Sequence, residues 1–332
     1  VRIVFLNPSG ELGGAETALL DLMTALRTVR PTWTLALLAS AEGPLVARAA
    51  RCGVQTATLT FPPSLARLGE WGSRRTFQNR LRFAVNACAA AAPAVTYTRR
   101  LRRALVAMAP DIVHTNGLKM HLLGARARPS HVKLIWHIHD YPRSRPLTAR
   151  MLARHSHRCA AILANSDSVA HQVRDLVGPV PPTHTLYNSI DLERFSPDGA
   201  RIDLDALAGL TPATADTLRV GLVATFARWK GHEVFLEAMA RFLSGRRARG
   251  YVIGAPTYTT ENSEVTLAQL RKMAAVRGLS DAIGFTGRID DIPSAMRSLD
   301  IVVHASVEPE PFGLVIAEAM ACARPLVVSK SG

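Results

Sequence analysis

Glu310-Pro311-Phe312-Gly313-Leu314-Val315-Ile316-Ala317-Glu318 decides how this chain folds. Ahead of it, Asp300-Ile301-Val302-Val303-His304-Ala305 is short and apolar, the pattern of a fully buried strand. Behind it, Gly313 to Cys322 reads as a helix. Strand, loop and helix in that order are the building unit of a parallel α/β sheet. Pro311 suits a helix start, where its missing N–H would be unpaired anyway, and Gly313 lets a ligand approach the backbone. Glu310 falls in the loop and Glu318 inside the helix, eight residues on. Free N–H groups and the positive end of the helix dipole favour an anion there. The two carboxylates can accept hydrogen bonds from hydroxyls, so the stretch fits a sugar nucleotide. On spacing alone, an ordinary loop and a helix bearing two glutamates account for it equally well.

Outward from this stretch, apolar runs and amphipathic stretches alternate along the chain, as in a parallel sheet with helices on both faces. Downstream, Pro325–Ser329 reads as a strand. Upstream, strands are expected at Leu218–Ala224 and Tyr251–Gly254, with helices at Asp203–Gly209, Glu264–Gly278 and Asp291–Leu299. Thr225-Phe226-Ala227-Arg228-Trp229-Lys230-Gly231-His232 follows one strand and opens a helix to Leu243, so Lys230 can reach a phosphate from a helix start. Residues 1–195 add strand candidates at Arg2–Leu6, Trp33–Ala39, Val54–Leu59, Asp111–Thr115, Val132–Ile138, Ala160–Ala164 and Thr183–Leu186. No 20–50-residue repeat recurs, which excludes a solenoid.

Two loops in this first part carry candidate chemistry. Asn7 to Glu16 is a glycine-bearing strand-to-helix turn that lacks both the G-x-G-x-x-G spacing and a Gly-Lys-Ser/Thr. Ile138-His139-Asp140 ends a strand at the carboxyl edge of the sheet, where ligands of open α/β folds bind. His139 can hydrogen-bond a hydroxyl there, with Asp140 setting its tautomer or capping the next segment. Asn165-Ser166-Asp167-Ser168 caps a helix reaching Leu176. The irregular Tyr187 to Pro197 marks the boundary between domains 1–195 and 196–332.

Composition narrows the classes. At 332 residues the chain has room for two cores. Its four cysteines show no C-x-x-C spacing, which argues against a zinc site or a disulfide framework. The most apolar run, Ala84 to Val95, is shorter than the ~20 residues a bilayer span needs. The chain opens on a strand with no signal peptide ahead of it, so a cytoplasmic location is expected. The net charge of +14 is uneven. Residues 1–195 hold 25 Lys and Arg against 11 Asp and Glu, and residues 196–332 hold 15 of each. The excess is densest at Arg99-Arg100-Leu101-Arg102-Arg103 and across Arg67 to Arg82. Contact with an anionic membrane surface explains this, and so do arginines that merely decorate solvated helices. Nucleic-acid binding is not expected, because no helix-turn-helix, zinc or RNP-type motif is present.

Glu310 to Glu318, with Pro-Phe-Gly inside it and Ala319-Met320-Ala321 after it, resembles the E-x7-E signature of family 4 of the retaining glycosyltransferases. The resemblance extends over nearly the whole chain, taking in Gly13-Gly14-x-Glu16, His139-Asp140, Tyr187 to Pro197, Lys230 and Ile283 to Ile289. It implies the GT-B fold, two Rossmann-like α/β domains with parallel sheets facing across a cleft. It also implies metal-free transfer of a hexosyl unit from an NDP-sugar to a glycan or lipid-linked acceptor, with no cofactor. In that family reading, Lys230, Arg228, Glu310 and His139 are catalytic. Gly14, Glu310, Phe312, Gly313, Leu314, Glu318, Arg288 and Ile289 bind the donor, with Glu318 on the ribose. Gly13, Gly14, Glu16, His139 and Asp140 face the acceptor. Thr225 stands where the family usually has an arginine, and Arg228 is the substitute at hand. Family members continue past the last residues here, so the resemblance also implies a C-terminal truncation. Rival readings are an NDP-sugar epimerase of the same fold and a binding protein that does not catalyse.

Overall fold

The computed structural model describes residues 1–66, 77–256 and 265–330. The chain forms two compact units, Val1–Ser189 and Ile190–Gly332. In the first, strands β1 (Arg2–Asn7), β2 (Thr34–Ala39), β3 (Gln55–Thr58), β4 (Ile112–Asn116), β5 (Lys133–Ile138), β6 (Ala161–Ala164) and β7 (Thr183–Thr185) form one sheet. Its order is β3-β2-β1-β4-β5-β6-β7, and every pairing is parallel. Helices α1 (Gly14–Val29), α2 (Pro44–Arg51), α3 (Pro63–Ala66), α4 (Phe77–Met108), α5 (Leu118–Ala127), α6 (Pro146–His155) and α7 (Asp167–Val177) return the chain. Both faces of the inner strands are buried, which is why β1, β2 and β5 read as nearly unbroken apolar runs. Ile3 and Phe5 face α1 and α2 through Leu19, Met23 and Leu45. Val4 and Leu6 face the opposite side, toward Leu101, Leu105 and Met120. The period of two along β1 thus feeds two separate cores.

The second unit holds β8 (Leu218–Val223), β9 (Ala248–Ile253), β10 (Ile283–Gly287), β11 (Ile301–His304) and β12 (Leu326–Val328). They pair in the order β10-β9-β8-β11-β12, again all parallel. The connecting helices are α8 (Leu204–Ala208), α9 (His232–Phe242), α10 (Leu267–Val276), α11 (Ile292–Arg297) and α12 (Leu314–Ala321). Local chemistry sets their ends. The Asp203 carboxylate caps α8, which closes on left-handed Gly209, and Thr266 caps α10 in a capping box. Ser166 caps α7 in the first unit, accepting from the Val169 N–H at 3.3 Å.

Three sequence expectations change, the first being that Ile283–Gly287, not among the expected strands, forms β10. The boundary moves ahead of Phe195, which packs in the second unit's core with Leu204, Tyr251 and Met296. β9 begins three residues before the expected Tyr251, because Arg249 is not a loop residue. Its guanidinium lies 2.5 Å from Asp205 Oδ1, which also accepts from the Tyr251 hydroxyl at 2.6 Å. Asp205 is buried, so this arginine-rich strand end is held by a compensated inner charge. Residues 67–76 of the basic stretch Arg67 to Arg82, and the expected helix start at Glu264, lie outside the described residues. Arg99, Arg100, Arg102 and Arg103 are exposed on α4 around buried Leu101.

The first unit's core also holds histidines. His114 and His137 sit edge-on at 5.3 Å between ring centroids, and His137 is 4.1 Å from His139. His121 on α5 bonds Thr115 at 2.7 Å. Burial pushes His137 down to about 4 and His121 to about 3, so the native unit keeps these rings neutral. A ring that stays neutral when folded but protonates when unfolded costs stability below the unfolded value. The first unit should therefore weaken as pH falls from about 6.5 toward 4, by ~2 kcal/mol per buried histidine at pH 5. Amide exchange of β4 and β5 at pH 7.5 and pH 5 measures it. Phe195→Ala should cost the second unit about 3–5 kcal/mol. The loss should speed amide exchange in β8 to β12 and leave β1 to β7 unchanged.

Candidate active site

The order of the second sheet reverses between β8 and β11. Loops leaving the carboxyl ends of two such strands run to opposite sides and open a crevice between them. The loop after β8 makes a 3-10 turn at Arg228–Lys230 and ends at left-handed Gly231, the cap of α9. A Cβ on Gly231 would sit 1.8 Å from the Ala305 carbonyl oxygen. The Val307 N–H donates to the Trp229 carbonyl at 2.8 Å. Backbone therefore packs on backbone between the loops after β8 and β11.

That close approach brings Lys230 Nζ to 2.6 Å from Glu310 Oε2. The same oxygen lies 3.1 Å from His304 Nε2 and 3.2 Å from Ser306 Oγ. The side chains of Lys230 and Glu310 are only 23% and 17% exposed. Burial alone would raise the Glu310 pKa. The His304 hydrogen bond and the Lys230 charge outweigh burial and bring it down to about 2. Gly313 caps α12 with φ 77°, and a Cβ there would meet Ile316 Cδ1 at 2.8 Å and Glu310 Cγ at 3.3 Å. Glycine thus leaves room for Glu310 beside the helix start. Phe312 and Leu314 flank it, and Glu318 is half-buried on α12.

The other expected donor residues lie apart from this group. Arg228 is exposed and makes no side-chain hydrogen bond among the described residues. Thr225 gives its hydroxyl to the Ala255 carbonyl at 3.0 Å, tying the loops after β8 and β9 together. Arg288 follows β10, three strands from β11 and so about 14 Å across the sheet, where it pairs loosely with exposed Asp290 at 3.7 Å. Ile289 packs against the core that holds Phe195 and Tyr251. His304 and Ser306 were missed. The signal was a polar residue closing an apolar strand, with a hydroxyl two positions on.

The first sheet reverses between β1 and β4, and asparagines close both strands. Asn116 Nδ2 donates to Asn7 Oδ1 at 2.8 Å and to the Ala15 carbonyl at 3.4 Å. These asparagines, also missed, hold the loop that contains Gly13 and Gly14. Gly13 caps α1, and Gly14 is its first residue. Glu16 is a correction. It turns inward, accepting from the Gly13 N–H at 3.2 Å and from Asn7 Nδ2 at 3.4 Å, and burial raises its pKa. His139 stands beyond the end of β5 with both ring nitrogens covered and unpartnered among the described residues. Burial, then the neighbouring histidines, holds it well below the usual value. Asp140 is a second correction: it is exposed, does not bond the His139 ring, and caps nothing. Asn165 instead donates to the His139 carbonyl at 3.2 Å.

Among the described residues, no three His, Cys, Asp or Glu side chains converge as a metal site. No helix there is long and apolar enough to cross a membrane.

Comparison with known proteins agrees with this geometry. Residues 12–194 match the family model described as Glycosyltransferase Family 4, and residues 217–332 match Glycosyl transferases group 1. The chain is similar to D-inositol 3-phosphate glycosyltransferase 2 of Catenulispora acidiphila, 31% identical over 52% of this chain and 40% of that protein. It is also similar to the lipopolysaccharide core biosynthesis mannosyltransferase LpsB of Rhizobium meliloti, 30% identical over 46% of this chain and 41% of that one. Its matches with such curated relatives span 40% to 50% of their length. In fold it resembles the Anabaena protein HepE in complex with UDP and glucose, with a TM-score of 0.75 at 24% identity over 99% of this chain and 81% of that one. Sucrose-phosphate synthase of Thermosynechococcus elongatus gives a TM-score of 0.71 at 19% identity over 100% and 82%. The two parallel α/β units are those of the GT-B fold. With more than half of its length matched by one family model, the chain belongs to glycosyltransferase family 4.

Proposed function

We propose that this chain transfers a hexosyl unit from an NDP-sugar to a glycan or lipid-linked acceptor, retaining the anomeric configuration and using no metal. The observation that carries this reading is the Lys230–Glu310 pair at the switch point of the second sheet, beside the start of α12. A diphosphate offers Lys230 a competing anion, and Glu310 then accepts from a hexose hydroxyl while Glu318 accepts from the ribose. Phe312, Gly313 and Leu314 shape the phosphate end through the first N–H groups of α12. Arg228 supplies a second cation, and Arg288 and Ile289 lie toward the base. In the transfer, the bond from C1 to the phosphate oxygen breaks as C1 bonds the acceptor oxygen on the same face. The acceptor proton passes to the leaving phosphate. Negative charge grows on that phosphate, so Lys230 acts most strongly in the transition state. Gly13 and Gly14 border the acceptor with their backbone, held by Glu16, and neutral His139 bonds an acceptor hydroxyl with Asp140 beside it.

Support comes from family membership, from relatives named as glycosyl- and mannosyltransferases, and from a fold neighbour solved with UDP-glucose. The basic first unit suits a cytoplasmic enzyme working at the inner face of a membrane, in polysaccharide or glycoconjugate synthesis. A binding protein without catalysis is the second reading, favoured by the commitment of Thr225 to Ala255 where the family usually has an arginine.

Calorimetry with UDP-, GDP- and ADP-sugars, and hydrolysis of each without acceptor, tests the donor assignment. Binding of none of them refutes it, and binding without turnover favours the second reading. Lys230→Ala should lower kcat more than it raises KM. It should also move the acid limb of activity upward, because Glu310 loses the charge that keeps it ionised. An unchanged pH profile would remove the pair from the mechanism. Glu318→Gln should weaken donor binding by about 1.5–3 kcal/mol, roughly 10- to 100-fold. Normal binding would end the ribose assignment, and activity lost in EDTA would end the metal-free one.

A further inference from the structure

The first unit has a surface that the proposed transfer does not use. α6 buries Ala149 and Leu152 and turns its other side to solvent. At about 100° per residue, Leu147, Met151 and Arg154 fall within roughly 60° of one another, with Arg150 beside them. Leu147 is 55% exposed and Met151 46%. Isolated exposed apolar side chains are ordinary, but the surroundings of these two are not. Arg143, Arg145, Arg150, Arg154 and Arg158 are all exposed around them. Residues 112–166 contain nine Lys and Arg and a single acid, Asp140. Among the described residues, one ion pair reaches this face, Arg143 with exposed Asp175 at 3.8 Å.

The stripe leads into a basic hollow. Arg126 from the last turn of α5 joins Arg154, His155, His157 and Arg158 in lining an open cavity of about 440 Å³. Arg158 is anchored there by donating to the Ala125 carbonyl at 3.2 Å. Burial, and then the neighbouring charges of Arg126 and Arg158, hold His155 below its usual pKa. Charged phosphate is the complementary chemistry. The adjacent Leu147 and Met151 distinguish a lipid surface from a soluble polyanion, since a basic helix face with apolar side chains lies in the headgroup layer. Residues 143–158 hold no Phe, Trp or Tyr on which bases would stack.

We propose that this face of the first unit docks on an anionic membrane, with lipid phosphates in the arginine-lined cavity and Leu147 and Met151 in the headgroup layer. The inference deepens the membrane contact proposed above and rests on that reading. Its test needs neither donor nor acceptor, so its failure leaves the transferase reading standing.

The full chain is sedimented with phosphatidylcholine vesicles, with and without phosphatidylglycerol. Folding of each variant is checked by its thermal midpoint. Wild type should sediment only with the anionic vesicles. Each basic side chain near such a surface is worth about five-fold, so R150Q/R154Q should bind about 25-fold more weakly. L147S/M151S should also lose binding. Changing Arg99, Arg100 and Arg103 on α4 to Gln should leave it within about five-fold of wild type. Equal sedimentation with neutral vesicles overturns the proposal, as does full binding by either α6 variant. A loss confined to the α4 variant moves the surface elsewhere and overturns it too. Release by inorganic phosphate at constant ionic strength assigns the cavity to a soluble phosphate. Concentration-dependent self-association without vesicles, abolished by L147S/M151S, assigns the face to a second copy of the chain. Either result overturns membrane docking.

Discussion

A carboxylate inside a protein must be compensated, and Glu310 is compensated by Lys230. Four groups from two loops and the end of β11 meet there: the ammonium, the carboxylate, the His304 ring and the Ser306 hydroxyl. They meet only because Gly231 lets the loop after β8 press on the backbone of the loop after β11. Breaking such a pair leaves a buried charge uncompensated. In the proposed function, a ligand that draws Lys230 away must therefore give Glu310 something in return. Phosphate alone does not, whereas a phosphate joined to a hydroxyl-bearing sugar does both. The pair would thus discriminate between a free anion and a sugar nucleotide before any chemistry occurs.

The first unit places a different chemistry at its own switch point. Two asparagine amides bond each other across the ends of β1 and β4. Glu16 is spent on the loop, and the core histidines His137 and His139 are kept uncharged by burial. Apart from the Glu16 carboxylate, that network is made of neutral amides and imidazoles, which suits hydroxyl groups better than phosphates. The two units share a topology and differ in electrostatics, in line with the division of labour proposed between acceptor and donor. Excess positive charge in the first unit lies instead on outer faces, on α4 and α6.

Legibility followed burial. Strands of the first sheet lie within one residue of their expected bounds, and inner strands such as β1 and β2 are the plainest because a strand covered on both faces must be apolar. β9 resisted the same reading because its first turn of sequence is arginine-rich, and Asp205 makes Arg249 admissible there only in three dimensions. Lys230 and Glu310 stood out as charges in glycine-bearing loops between a strand and a helix. His304 and Ser306 did not, since each is unremarkable until it points at Glu310. Asp140 was misread because adjacency in the chain is not adjacency of side chains: consecutive residues at a strand end point to opposite sides.

Sequence by itself determined most of the strands and their order along the chain, the parallel α/β class, the family, and the two loops that carry the charged candidates. These follow from local pattern, from period-two burial and from glycine and proline at fixed turns, which need no knowledge of distant residues. Tertiary structure alone decided which strands became neighbours at the reversals of order, and therefore that residues 80 positions apart, Lys230 and Glu310, would share one proton-free oxygen. It also decided that Glu16 would face inward and that Leu147, Met151 and Arg154 would share an outer face. The physical reason is that hydrogen-bond partners and charge compensation depend on distances of about 3 Å, which only the packing of sheet, loop and helix sets.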